Sequence, residues 1–261
     1  MVDRKKTFVY DEYTANLGKL AANAGTTLEL SRLCQRMYIA DYINLEGIDL
    51  WLAKNALTAV FQVLKDYPKL RRRINYFGTL SGLKARKDDL IDFLYPNADR
   101  DNLEFLKEAS DETAEQAAES FQENGLAIAF FSQIGNEYFG GIIIDETDFN
   151  RRSILTNLAH DESVGFSPRG CHSFRSVITH ELGHVLDFWL KISENRRFKS
   201  KIKTLSSSYI QSNLSEYSSS NGQVYPAEVI AEGFAEYRCS NSPRELASFV
   251  GQLIDEEYKK Q

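Results

Sequence analysis

The chain has 261 residues, 43% of them apolar, which suits one large domain or two small ones with a substantial core and excludes a disordered chain. Its 31 basic and 37 acidic residues are mixed along the sequence and leave a net charge of −6, so no basic field draws the whole protein onto nucleic acid. No apolar run reaches the roughly 18 residues that a membrane span needs, and no apolar stretch follows the charged N-terminal segment, so neither a span nor a signal peptide is expected. The expectation is a soluble protein, cytoplasmic or exported by a route other than the general secretory one.

Residues 10 to about 75 read as several helices, the clearest starting at Ile48 and running through Leu64, with apolar positions dense enough to require burial on more than one side. The cluster Lys69, Arg71, Arg72 and Arg73 reads as the solvated end of a helix. Residues 76 to 110, with Gly78, Gly82 and Pro96, read as a linking region with short helices. A boundary near residue 110 then separates a helical N-terminal region, 1–110, from a second domain, 111–261. Asp111 to Asn124 carries Ala114, Ala117, Ala118 and Phe121 at helical spacing. Two strands are expected next, Leu126 to Phe131 and Tyr138 to Asp145.

The richest signal lies at His180-Glu181-Leu182-Gly183-His184. On a helix over 174–190, Ile178, Leu182, Val185 and Trp189 form an apolar stripe, and the two histidines share the opposite side one turn apart. Two neutral imidazoles at that spacing can share one Zn²⁺, with Glu181 beside them as general base for a water. A catalytic zinc takes three protein ligands and keeps one position open, so a third donor is required. Asp187 lies on the histidine side, but a metal level with the middle of the motif would be about 7 Å away along the axis, at about 1.5 Å per residue, and an aspartate side chain is short. It suits a supporting hydrogen bond or ion pair. The better source is a second helix starting at Pro226, where Glu228, Glu232 and Glu236 recur every four residues and share a face. Like charges at that spacing cost a few tenths of a kcal/mol per pair, so cations should face them. Glu228 is the preferred third ligand, with Glu232 orienting an imidazole; Glu232 as ligand is the main rival.

Between these helices, Ser206 to Gly222 is rich in serine and reads as a mobile surface segment or a substrate-facing flap. Ser242-Pro-Arg-Glu245 has the form of a capping box, which predicts a last helix from Pro243 to about Tyr258. The cysteines Cys34, Cys171 and Cys239 are odd in number and far apart, which argues against a disulfide scaffold and for a chain with free thiols.

His180-Glu-Leu-Gly-His184-Val-Leu-Asp187 and Glu228-Val-Ile-Ala-Glu232-Gly-Phe234, with Glu228 standing 44 positions after His184, resemble the gluzincin metallopeptidases. Within that clan they are most similar to the lethal-factor-like zincins carried by toxins and phages. The resemblance covers roughly residues 125 to 240. It implies an α+β, zincin-like catalytic domain behind a mostly helical N-terminal portion, and a zinc endopeptidase acting on an extended peptide or protein segment. It also implies that His180, His184 and Glu228 are ligands, Glu181 the base, and Asp187 and Glu232 supporting residues. The family's oxyanion-stabilising tyrosine has Tyr225 and Tyr217 as its nearest counterparts here. In zincins the substrate pairs with an edge strand beside the metal helix, a role one of the two expected strands would fill. The alternative expectation is a toxin- or phage-associated interaction module whose zinc is structural.

Overall fold

The computed structural model describes residues 8–122, 125–147 and 151–261. The architecture is α+β and divides into two compact units, Met1–Phe149 and Asn150–Gln261. Among the described residues no helix is long and apolar enough to cross a membrane.

The first unit contains α1 (Glu12–Asn23), α2 (Thr27–Arg36), α3 (Leu50–Asp66), a 3₁₀ turn (Pro68–Arg73), α4 (Leu80–Leu94) and α5 (Arg100–Gln122). They accompany a four-stranded sheet of β1 (Tyr42–Asn44), β2 (Tyr76–Thr79), β3 (Ala127–Ile134) and β4 (Glu137–Ile144), in the order β1-β2-β4-β3. The β1/β2 and β2/β4 pairs are parallel, and β3/β4 is an antiparallel hairpin with β3 at the edge. Asp49 starts α3 by accepting hydrogen bonds from the Trp51 and Leu52 amides. Leu83, Ile91 and Leu106 of α4 and α5 pack on Tyr76, Phe130, Phe139 and Ile143 of the sheet to form a core.

Three expectations change here. The stretch 76–110 is no linker: it supplies β2, a central strand, then all of α4 and the start of α5. All four residues of β2 are buried, so it has no polar alternation to announce it. The helix expected from Asp111 begins at Arg100, so a boundary at 110 would cut α5, and contacts divide the chain at Phe149 instead, leaving β3 and β4 with the N-terminal elements. Arg71 is also not solvated. It is buried against Asp41 at 2.6 Å and donates to the Tyr38 carbonyl oxygen, a structural ion pair beside β1.

The second unit contains α6 (Arg151–Val164), α7 (Phe174–Leu190), α8 (Arg196–Lys203), α9 (Ser207–Asn213), a short hairpin of β5 (Ser219–Ser220) and β6 (Gln223–Val224), α10 (Pro226–Cys239) and α11 (Glu245–Lys259). Ser173 and Ser176 cap α7 reciprocally, and Lys191 closes it in the left-handed region at φ 56°. Ile178, Leu182 and Val185 are fully buried, as their spacing requires. Trp189 packs edge-on against Tyr258 of α11.

The serine-rich link proves to be buried in part rather than a surface segment. Ser215, Ser218 and Ser219 are enclosed, with the Ser215 and Ser218 hydroxyls 2.6 Å apart and the Ser219 hydroxyl donating to the Ser207 carbonyl oxygen. Short hydroxyl side chains satisfy the backbone of a tight loop without a ladder, which hydropathy alone does not reveal. Nor does Ser242 cap α11. That helix starts at Glu245 after an extended Arg244, whose guanidinium is held by Glu236.

Candidate metal centre

Two antiparallel or parallel helices can bring side chains from both onto one ion only if their backbones approach closely, and a glycine makes this possible here. A methyl added at Gly183, in the middle of the motif, would stand 2.8 Å from the Ala231 Cα of α10. Gly183 thus lets α10 lie directly on α7. Ala231 falls between Glu228 and Glu232, so both carboxylates reach the histidine side of α7.

There His180 Nε2 and His184 Nε2 face each other 3.1 Å apart, and Glu228 Oε2 stands 3.4 Å from the first and 3.5 Å from the second. These contacts are too long for full carboxylate hydrogen bonds, and Glu228 Oε2 is buried without a hydrogen-bond partner. Donors held at about 2.05 Å by a tetrahedral zinc are spaced by about 3.3 Å. The three atoms therefore form a triangle of the size of one face of a zinc tetrahedron. Among the described residues, these three make up the one group of histidine, cysteine and carboxylate donors with metal-binding spacing. Three nitrogen and oxygen donors are also the complement of a catalytic rather than a four-ligand structural site.

Glu232 takes a different part. Its Oε1 lies 2.7 Å from His180 Nδ1, on the side of the ring away from the donor triangle. A proton on Nδ1, donated to Glu232, leaves the Nε2 lone pair directed at the triangle, which is the tautomer a metal requires. Burial works against the protonated imidazolium of His180, yet Glu228 and Glu232 outweigh it and raise its pKa well above the ordinary value. Burial likewise opposes the Glu228 carboxylate, and the two imidazoles reverse the balance, holding its carboxyl well below the usual range. Both shifts describe a site built around balanced opposite charges.

Glu236, third in the acidic row, is fully buried and belongs to another partner. Arg244 grips it with Nε at 3.0 and 3.1 Å and Nη2 at 2.6 Å, while Nη2 also donates to the Leu214 carbonyl oxygen. Asp187 is buried and accepts from the Ser193 amide at 2.6 Å, tying the turn after α7 to the helix end. Burial raises its pKa, offset in part by Ser193 and by the charge of His184.

Glu181 is buried beside the triangle, near enough for its charge to act on both His180 and Tyr217. Of the two tyrosines, Tyr217 is the one whose ring lies beside His180, 6.0 Å between centroids. Although nearly half of the residue is exposed, the burial of the rest raises its pKa, and Glu228, Glu181 and Glu232 raise it further, so its hydroxyl keeps its proton at neutral pH. Tyr225 instead precedes α10 and donates its amide to the Ser218 carbonyl oxygen. Sequence reasoning passed over Phe166, which stacks at a tilt on Tyr217 at 5.5 Å. The backbones at 165–166 and 216–217 are joined by hydrogen bonds of 2.9 and 3.3 Å, and both rings are exposed. Phe166 lies in no motif, so nothing in the sequence points to it; Arg244 is visible, five residues beyond the end of the acidic helix, but reads as part of a cap.

No protein-family model, curated protein or solved structure matches this chain.

Proposed function

We propose that the protein is a zinc-dependent metallopeptidase that cleaves an extended peptide or protein segment. The observation that carries this reading is the donor triangle of His180, His184 and Glu228, with Glu232 setting the tautomer of His180 and a buried Glu181 alongside.

His180, His184 and Glu228 would hold the ion, which when bound lowers the pKa of a water towards about 7 and polarises a carbonyl. Glu181 takes the proton from the attacking water and passes it to the leaving amine nitrogen, the double duty of a carboxylate in general acid–base catalysis. Glu232 keeps His180 in the required tautomer and carries no proton to the substrate. Tyr217, protonated and adjacent to His180, donates a hydrogen bond to the oxygen that gains charge as the carbonyl is attacked. The exposed rings of Phe166 and Tyr217 offer an apolar side chain of the substrate a surface beside the triangle.

Glu181 separates this reading from that of a structural zinc module, because a structural site has no use for a base. The test is purified protein against a peptide library, with and without chelator, beside the Glu181→Gln variant. Cleavage that chelator abolishes, and that Glu181→Gln loses while zinc content stays the same, is the expected result. Cleavage indifferent to chelator, or surviving in the variant, overturns the mechanism.

A further inference from the structure

Cys171 lies just before α7 and Cys239 is the last residue of α10, so the two thiols sit at the ends of the two helices that carry the donor triangle. Their chains touch. A methyl added at Gly170 would come within 2.9 Å of the Cys239 carbonyl oxygen and of the Ser240 amide nitrogen, and Gly170 holds φ +78°, a conformation other residues rarely adopt. This contact sets the Cys171 and Cys239 thiols near enough for each to act on the other's ionisation. Cys171 is buried, whereas Cys239 is half-buried.

The surroundings make the two sulfurs unequal. The neighbouring Cys171 brings the Cys239 thiol down to about 7, against the pull of burial, with help from the Thr179 hydroxyl and from Arg175 and Arg238. The same pairing, together with burial, pushes Cys171 well above its ordinary value. Cys34, in the first unit, is buried and raised by that burial to about 12. A half-buried thiol that ionises near neutral pH beside a second, protonated thiol is the arrangement of a peroxide-reactive cysteine with its resolving partner.

We propose that Cys171 and Cys239 form a reversible oxidation site, which hydrogen peroxide converts to a disulfide joining the start of α7 to the end of α10. The Cys239 thiolate attacks one peroxide oxygen; an S–O bond forms, the O–O bond breaks, and the departing hydroxide takes a proton to leave as water. Cys171, losing its proton, then attacks the Cys239 sulfur; the S–S bond forms, the S–O bond breaks, and a second water leaves. The two thiols are oxidised by two electrons and one peroxide is reduced to two waters. A dithiol reverses the change by exchange. The site does not depend on what α7 and α10 bind, but the bond would clamp the outer ends of both helices.

The experiment is intact-mass and peptide mapping of the whole protein after treatment with stoichiometric hydrogen peroxide. A loss of two hydrogens, a Cys171–Cys239 cross-linked peptide, an alkylatable Cys34 and a melting temperature higher by on the order of 5–10 °C, all reversed by dithiothreitol, are expected. In Cys171→Ser, dimedone should trap a sulfenic acid at Cys239. Three alkylatable thiols after peroxide, a pairing that includes Cys34, or over-oxidation of Cys239 in the wild-type protein with no cross-link each overturn the proposal, and none of these readouts requires a variant to fold.

Discussion

Glu228 and Glu232 sit one turn apart on α10, and their zinc affinities should separate them sharply when each is changed to glutamine. Glu232→Gln leaves all three donor atoms in place and removes only a charge 2.7 Å from His180 Nδ1. The expected loss is that of an outer partner, about 10–100-fold in affinity, or about 1.4–2.8 kcal/mol. Glu228→Gln removes the charge of the one donor that is not an imidazole, an oxygen 3.4 and 3.5 Å from the two nitrogens and buried without another partner. Its loss should exceed the 100-fold ceiling of the neighbouring variant. Glu181→Gln touches no donor and should stay within about threefold of the wild type, under about 0.7 kcal/mol. Competition with a chromophoric chelator at fixed pH, repeated on the three variants, measures all of this on one scale. A Glu232 variant that binds more weakly than the Glu228 variant would invert the assignment of the third ligand. A large loss at Glu181 would make that residue a donor and remove the base from the proposed mechanism.

Gly183→Ala should push α10 off α7, since its methyl meets the Ala231 Cα at 2.8 Å; destabilisation of about 1–3 kcal/mol is expected by chemical denaturation, with weaker zinc binding. Arg244→Met leaves the buried Glu236 carboxylate without its guanidinium, keeping only the hydrogen bond from the amide of residue 244, and should cost about 3–5 kcal/mol, whereas adding Glu236→Leu should recover most of the loss; urea titrations of the wild type, Glu236→Leu, Arg244→Met and the double variant give the coupling. Alkylation of Cys239 by iodoacetamide should rise with the thiolate fraction and reach half its maximum near pH 7, below the ordinary thiol value of 9.0. Cys171→Ala removes the neighbouring thiol and should move that midpoint upward, read by mass spectrometry of the alkylated peptide; an unmoved midpoint would assign the shift to Thr179, Arg175 and Arg238 instead.

The legible parts of this chain were those whose signal is local. His180 and His184 repeat at one helical turn, and the apolar stripe Ile178, Leu182, Val185 and Trp189 backs them, so the helix over 174–190 is legible; its Ser173 cap is a finding of the structure. Pro226 and the three glutamates marked α10 in the same way. The strands of the hairpin were visible as apolar runs, but β1 and β2 were not: three and four residues long, they exist through parallel pairing with neighbours distant in sequence, and no local period encodes that. The serine-rich link misled for a related reason. Ser215 and Ser218 are buried because they bond one another, a fact of mutual geometry, whereas composition suggests only polarity. Tyr217 and Phe166 come together through backbone hydrogen bonds between segments fifty residues apart, which again no spacing rule foretells.

The acidic face of α10 shows how far such a pattern can be read. Three carboxylates on one stripe called for cations, and the structure answers each differently: the imidazole pair at Glu228, the Nδ1 proton of His180 at Glu232, and the guanidinium of Arg244 at Glu236. Equal spacing therefore hides unequal chemistry. What distinguishes the glutamates is the number of oxygens already satisfied: Glu236 has both engaged by Arg244, Glu232 has one engaged by an imidazole and one unpartnered, and Glu228 points an unpartnered oxygen at two nitrogens that also point at each other. A divalent ion satisfies that last arrangement in a way no single proton can, because a proton placed between any two of the three atoms leaves the third buried and unpaired. The case for metal at Glu228 rests on this unmet demand, and it holds independently of the motif that first drew attention to the helix.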